Sequence, residues 1–168
     1  MSDEGAVVVL IGAPGAGKTR TGKRLARLLE IPLIDTDKRV VADHGAIAEI
    51  FAEHGEAYFR ALERAAVVSA LREHAVVTVG GGAVLDPDTQ ADLAGKRVVQ
   101  LTMSLEAARA RITGGKRPLA RDADAWAALV ATRQPLYDSL SDLTIDTSTE
   151  PLDSVAVRIV KWLSEGTQ

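Results

Sequence analysis

The stretch Ala6 to Thr19, AVVVLIGAPGAGKT, decides the fold. Its first half, Ala6 to Ile11, is a short apolar run rich in valine. A run this short, closed by glycine, reads as a strand buried on both faces. Its second half, Gly12-Ala13-Pro14-Gly15-Ala16-Gly17-Lys18-Thr19, matches G-x-x-x-x-G-K-[ST] without deviation. In that P-loop pattern glycines let the backbone curl, so that successive N–H groups point at phosphate oxygens. The helix that follows adds the positive end of its dipole. Lys18 then reaches the β- and γ-phosphates, and the Thr19 hydroxyl can ligate Mg²⁺. The rival reading is a Gly-rich strand-to-helix turn with an incidental lysine. It leaves the match of motif and context unexplained.

Outward from this stretch, strand and helix patterns alternate. Val76 to Val79, Arg97 to Met103 and Leu143 to Asp146 read as further strands, and Ile31 to Ile34 as a weaker one. Helical spacing marks Lys18 to Glu30, a segment around Ile47, Ile50 and Phe51, and a third from Phe59 to Leu71. Ser104 can cap a helix running to Ile112, and Asp124 the next, which carries Trp126, Leu129 and Val130. Pro135 should kink or divide that helix. Pro151 stands where a first helical residue would, ahead of Val155, Ile159 and Leu163. Such alternation predicts an α/β domain with a parallel sheet covered on both faces. Thr113 to Asp124, TGGKRPLARDAD, is the least regular stretch and reads as a loop.

Composition bounds the rest. The 168 residues fit a single domain spanning 1–168, and the chain has no cysteine. Disulfides, thiol nucleophiles and thiolate metal sites are excluded. The net charge of −3 argues against nucleic acid as a partner. No apolar run approaches the ~20 residues that cross a bilayer. The acidic start lacks the features of a secretory signal, so a cytoplasmic protein is expected. His44, His54 and His74 lack metal-ligand spacing, and Trp126 and Trp162 read as packing.

Three sites beyond the P-loop narrow the chemistry. Asp35-Thr36-Asp37 follows the weak strand. On an extended segment the two carboxylates would point to opposite sides, one toward a metal and one toward an acceptor. Taken alone, a solvated turn with Asp37 capping the next helix is the favoured reading. Arg60 and Glu63 can pair at i, i+3, which would aim the guanidinium at a carboxylate; a plain surface ion pair is the alternative. Gly80-Gly81-Gly82 ends a buried strand, where α/β folds bind ligands and where a backbone without side chains permits close approach. A flexible strand-to-loop transition is the other reading.

Taken together, the P-loop, Asp35-Thr36-Asp37, Gly55-Glu56 through Phe59-Arg60, the triple glycine, Arg117-Pro118-Leu119 and Arg133 through Pro135-Leu136-Tyr137 resemble shikimate kinases. The resemblance runs from about Val7 to Leu163. It implies a P-loop kinase fold of the nucleoside monophosphate kinase type, with strand order 2-3-1-4-5 and a lid over about 113–124. It implies transfer of the ATP γ-phosphate to the 3-hydroxyl of shikimate, and a monomer. By the same resemblance, Gly15, Ala16, Gly17, Lys18, Thr19 and Arg20 would hold the nucleotide. Asp37 would accept the hydroxyl proton, and Asp35 would join Thr19 around Mg²⁺. Arg60 and Arg133 would clasp the shikimate carboxylate beside Gly81 and Gly82, with Glu63 orienting Arg60. Arg117 would close from the lid over the transferring phosphate. Asp146-Thr147-Ser148 would border adenine, with Ser148 as its nucleotide contact. One position departs from the family: the arginine that commonly precedes the lid threonine and stacks on adenine is Ile112 here, with Arg111 one residue earlier.

Two rivals remain at this stage. A gluconate kinase would keep the P-loop without needing the arginine clasp. A sensing domain without turnover would be expected to lack Lys18, Asp35, Asp37 or Arg117, and all are present.

Overall fold

The computed structural model describes residues 5–113 and 123–166. The chain runs β1 (Val8–Gly12), α1 (Lys18–Leu29), β2 (Leu33–Asp35), α2 (Thr36–His44), α3 (Ile47–His54), α4 (Glu56–Leu71) and β3 (Val76–Thr78). A 3₁₀ turn (Ala83–Leu85), α5 (Pro87–Leu93), β4 (Val98–Thr102), α6 (Leu105–Thr113), α7 (Ala123–Leu140), β5 (Leu143–Asp146) and α8 (Leu152–Glu165) complete it. The five strands form one parallel sheet in the order β2-β3-β1-β4-β5, as the resemblance implies.

The apolar runs become central strands because both faces are covered. Val8 and Leu10 turn to one side, where Leu25 of α1 and Val155, Ile159 and Leu163 of α8 complete a core. Val9 and Ile11 turn to the other, against Val67 and Leu71 of α4 and Tyr137 of α7. A third cluster, Val40, Ile50, Phe59 and Ala66, joins α2, α3 and α4 beside the sheet. Among the described residues no helix is long and apolar enough to cross a membrane.

One polar residue sits inside this packing. Gln100 of β4 is fully buried. Its side-chain amide accepts from Gln134 at 2.6 Å and donates to Asp138 at 3.0 Å, with Ser141 and Thr144 hydroxyls within 3.3 Å. α7 is thereby tied to the sheet by hydrogen bonds as well as by hydrocarbon.

Several local expectations are corrected. Pro135 lies inside α7, which is not divided. The lost N–H removes one hydrogen bond, while Trp126 and Tyr137 bury the helix on either side of it. Asp124 stands in the first turn of α7 and does not cap it, because the helix already begins at Ala123. Pro151 is the cap of α8, with φ −57° and ψ 140°, and the first helical residue is Leu152. Of the stretch read as a loop at 113–124, Thr113 belongs to α6 and Ala123 and Asp124 to α7, and the remainder lies outside the described residues. Ser104 caps α6 as expected, accepting from the Ala107 N–H at 3.1 Å. Helix α2 is expected only as the helix that Asp37 would cap, and α5 not at all. The first has weak periodicity, and the second is short, though Asp86 accepting from the Asp88 and Thr89 amides, followed by Pro87, is a regular helix start.

Candidate active site

The P-loop curls between β1 and α1. Gly17 takes φ 93° at the start of α1, a left-handed conformation that suits glycine. The Lys18 ammonium donates to the carbonyls of Gly12 at 2.6 Å and Ala13 at 3.1 Å. It is thus folded across the mouth of its own loop. Thr19 points the other way and donates its hydroxyl to Asp35 at 2.6 Å. Arg20, next along α1, is exposed.

Asp35 and Asp37 do not flank one extended segment. β2 ends at Asp35 and α2 begins at Thr36, so Asp37 lies in the first turn of a helix. The cap is Asp35, whose other oxygen accepts from the Lys38 N–H at 3.1 Å, and Asp37 is released from capping. One carboxylate therefore serves the Thr19 end, while the other turns toward the triple glycine. Asp37 is largely buried beside Gly80. A Cβ at position 80 would lie 2.7 and 2.8 Å from its two oxygens. Its Oδ1 is buried and has no hydrogen-bond partner among the described residues. Burial and then the neighbouring Asp35 push its carboxyl above the usual carboxylate range, while Lys18 and Arg60 pull against that rise.

Arg60 leaves α4 toward the same turn. Its guanidinium donates to Glu63 at 2.8 Å, reaches Glu56 at 3.5 Å and rests over the Phe59 ring at 5.3 Å. Glu63 is almost wholly buried, and burial raises its pKa against the pull of Arg60. A Cβ at position 82 would meet the Arg60 guanidinium at 2.6 Å, and one at position 81 would stand 3.3 Å from Arg133. The glycine turn is bare because Asp37, Arg60 and Arg133 occupy the space its side chains would need. The groups that approach the bare backbone in this structure are the protein's own side chains.

Two site residues were missed as such. Tyr137 enters the sequence reading only as the end of the Arg133 motif, yet it is fully buried and its hydroxyl donates to the Gly81 carbonyl at 2.7 Å. Burial raises its pKa, with the neighbouring Arg133 opposing. Trp126, read as packing, is buried against the P-loop and also donates its indole N–H to the Pro14 carbonyl at 2.8 Å. Neither bond has a local signal, because each acceptor is a distant backbone oxygen.

On the far side of the P-loop, the Ser148 hydroxyl accepts from the Ser104 N–H at 2.8 Å. Arg111 donates to the carbonyls of Gly15 at 3.0 Å and Thr147 at 2.7 Å. Arg117 and the rest of the expected lid lie outside the described residues.

The described site thus holds a phosphate cradle with an ammonium, a hydroxyl-carboxylate pair, a buried carboxylate at the centre and two guanidinium groups beyond it. This suits an anionic acceptor carrying a hydroxyl, brought up to a polyphosphate. Comparisons with known proteins agree. The chain matches the family model "Shikimate kinase" over residues 14–164. It is 43% identical to a shikimate kinase of Thermobifida fusca over 168 aligned positions covering 94% of each chain. A shikimate kinase of Acinetobacter baumannii, solved in complex with shikimate, superposes with a TM-score of 0.84 at 28% identity, over 98% of this chain and 96% of that one. A gluconokinase of Sinorhizobium meliloti shares the fold more loosely, with a TM-score of 0.62 at 20% identity over 98% of both chains. From the cradle to the arginine clasp, site and comparisons agree that this chain belongs to the shikimate kinase family.

Proposed function

We propose that the chain transfers the γ-phosphoryl group of ATP to the 3-hydroxyl of shikimate at this site, with the residues named above in the following roles. The observation that carries the reading is the position of Asp37, whose oxygens lie against Gly80 in the same glycine turn that the Arg60 guanidinium meets at Gly82. A hydroxyl held there faces the phosphate cradle while its own ring carboxylate reaches the guanidinium groups.

Gly15, Ala16, Gly17, Lys18, Thr19 and Arg20 bind the nucleotide, with Ser148 at the adenine border. Lys18 leaves its loop carbonyls for the β- and γ-oxygens and compensates their charge. Arg60 and Arg133 take the acceptor carboxylate, Glu63 holds Arg60 in direction, and Tyr137 steadies the Gly81 end of the turn. Asp37 accepts a hydrogen bond from the attacking hydroxyl and takes its proton as the new P–O bond forms and ADP departs. In a loose transition state orientation matters more than basicity. Arg117 acts from the lid on the transferring phosphate.

Thr19 and Asp35 fit a hard divalent cation: their oxygens are 2.6 Å apart at the phosphate end. Mg²⁺ commonly uses only one or two carboxylates beside substrate phosphates and water. When bound it neutralises charge on the β- and γ-oxygens. The protein works as a monomer in the cytoplasm, with no membrane or nucleic-acid partner.

The test is ADP release coupled to a reporter, with MgATP and either shikimate or gluconate. Release that needs shikimate is the expected result. Release with gluconate alone, or with neither acceptor, overturns the reading.

A further inference from the structure

Three consecutive carbonyls of the P-loop are held from outside by side chains of three separate segments. Pro14 accepts from the Trp126 indole of α7 at 2.8 Å, Gly15 from the Arg111 guanidinium of α6 at 3.0 Å, and Ala16 from the Thr147 hydroxyl after β5 at 2.7 Å. Arg111 also donates to the Thr147 carbonyl at 2.7 Å, so two of the three supports are joined. Thr147 is tied in turn to β4, its N–H donating to the Thr102 carbonyl at 2.8 Å.

From this arrangement we propose that Arg111, Trp126 and Thr147 are positioning residues for the triphosphate, acting as an external brace that fixes the peptide planes of the P-loop. The inference rests on the reading of that loop as the phosphate site.

A trans peptide unit sets its C=O and N–H on opposite sides. Holding the carbonyls of Pro14, Gly15 and Ala16 outward therefore fixes where the amides of Gly15, Ala16 and Gly17 point. Within the loop, the Ala16 N–H closes a turn onto Ala13 at 3.2 Å. Gly15 and Gly17 have φ of 84° and 93°, and glycine can leave such conformations easily. A flipped plane would place a carbonyl against phosphate and remove a donor. Each outward bond makes that flip unfavourable before nucleotide arrives, which is preorganisation. Trp126 and Thr147 do this without charge, so the effect separates from simple attraction between Arg111 and the anion. Arg111 also takes a part distinct from base stacking: its guanidinium is engaged by two backbone oxygens and by the Met103 sulfur at 2.9 Å.

The test measures binding of MgATP and of inorganic tripolyphosphate, which has no base, by calorimetry on the full chain. Thr147→Val and Trp126→Phe each delete one donor with little change of shape. Arg111→Met deletes the fork and Arg111→Lys keeps its charge. A hydrogen bond of this kind supports roughly a five-fold to twenty-fold weakening of both ligands in each deletion variant. Arg111→Lys should recover only part of the loss, and the shikimate KM should stay within about two-fold throughout. General loosening of the fold would move the shikimate KM as well, and that outcome counts against a brace. Tripolyphosphate binding that is unchanged in Thr147→Val and Trp126→Phe overturns the proposal. Loss of ATP but not tripolyphosphate binding in Arg111→Met makes that residue a base contact and overturns its part. A wild-type chain that binds neither ligand refutes the phosphate-site reading itself.

Discussion

Gly82→Ala adds a single methyl group, and its effect can be followed atom by atom. The backbone at Gly82 has φ −96° and ψ −4°, so alanine brings no conformational strain. The new Cβ would stand 2.6 Å from both terminal nitrogens of Arg60 and 2.9 Å from the carbon between them. A contact near 3.5 Å needs the guanidinium to retreat by about 1 Å. That movement takes it away from Glu63, now 2.8 Å distant, and off the line to the acceptor carboxylate. A charge-assisted hydrogen bond contributes about 1.5–3 kcal/mol, so losing alignment with the carboxylate should raise the shikimate KM roughly 10- to 150-fold. The P-loop is untouched, and the ATP KM should stay within about two-fold. Coupled ADP release measures the first at varied shikimate and saturating MgATP, and the second at varied MgATP and saturating shikimate. A shikimate KM within two-fold of wild type would refute the claim that the bare turn exists to make room for Arg60. A raised ATP KM with unchanged shikimate KM would refute the assignment of Arg60 to the acceptor.

Four further outcomes are expected. Asp37→Asn should lower kcat by about 10²- to 10⁴-fold with ATP affinity nearly intact; turnover close to wild type would remove Asp37 from the proton path. The same variant should melt higher at pH 7. The folded carboxyl is raised above its ordinary value of 3.8, so folding favours the protonated form and the cost of ionising it grows as pH rises through the raised pKa. Turnover should correspondingly fall as pH drops through that raised pKa, on a limb above the ordinary carboxylate range that Asp37→Asn abolishes; identical pH–rate profiles would exclude Asp37 as the titrating group. Tyr137→Phe, which leaves the Gly81 carbonyl without its donor, should cost about 1 kcal/mol of stability and raise the shikimate KM several-fold, read by thermal melts and steady-state kinetics.

How legible the chain is depends on whether a signal is local. The P-loop could be read in full because strand, glycines, lysine and helix adjoin each other. The sheet order came through resemblance, since alternation alone fixes parallel strands and leaves their order open. The carboxylates of Asp35 and Asp37 do part, but not by a strand's alternation, because a helix starts between them. α2 has no apolar signature because Thr36 and Val40 are its only fully buried residues, too few to set a helical period. The donors on Pro14, Gly15, Ala16 and Gly81 could not be found at all. Each is a side chain meeting a backbone oxygen more than fifty positions away, and backbone oxygens have no letter in a sequence.

The amide inside the sheet has a bearing on how α7 can drift. Hydrocarbon packing lets a helix roll by small steps, whereas a buried amide with assigned partners admits one azimuth. Gln134 and Asp138 supply that lock, and Arg133 and Tyr137 each precede one of them, about 100° around the axis. The direction in which Arg133 and Tyr137 leave α7 is thus set by a neighbouring face of the same helix. Redirecting Arg133 would begin at Gln100, whose bonds run to Gln134 and Asp138 of α7 and to Ser141 and Thr144 beyond it.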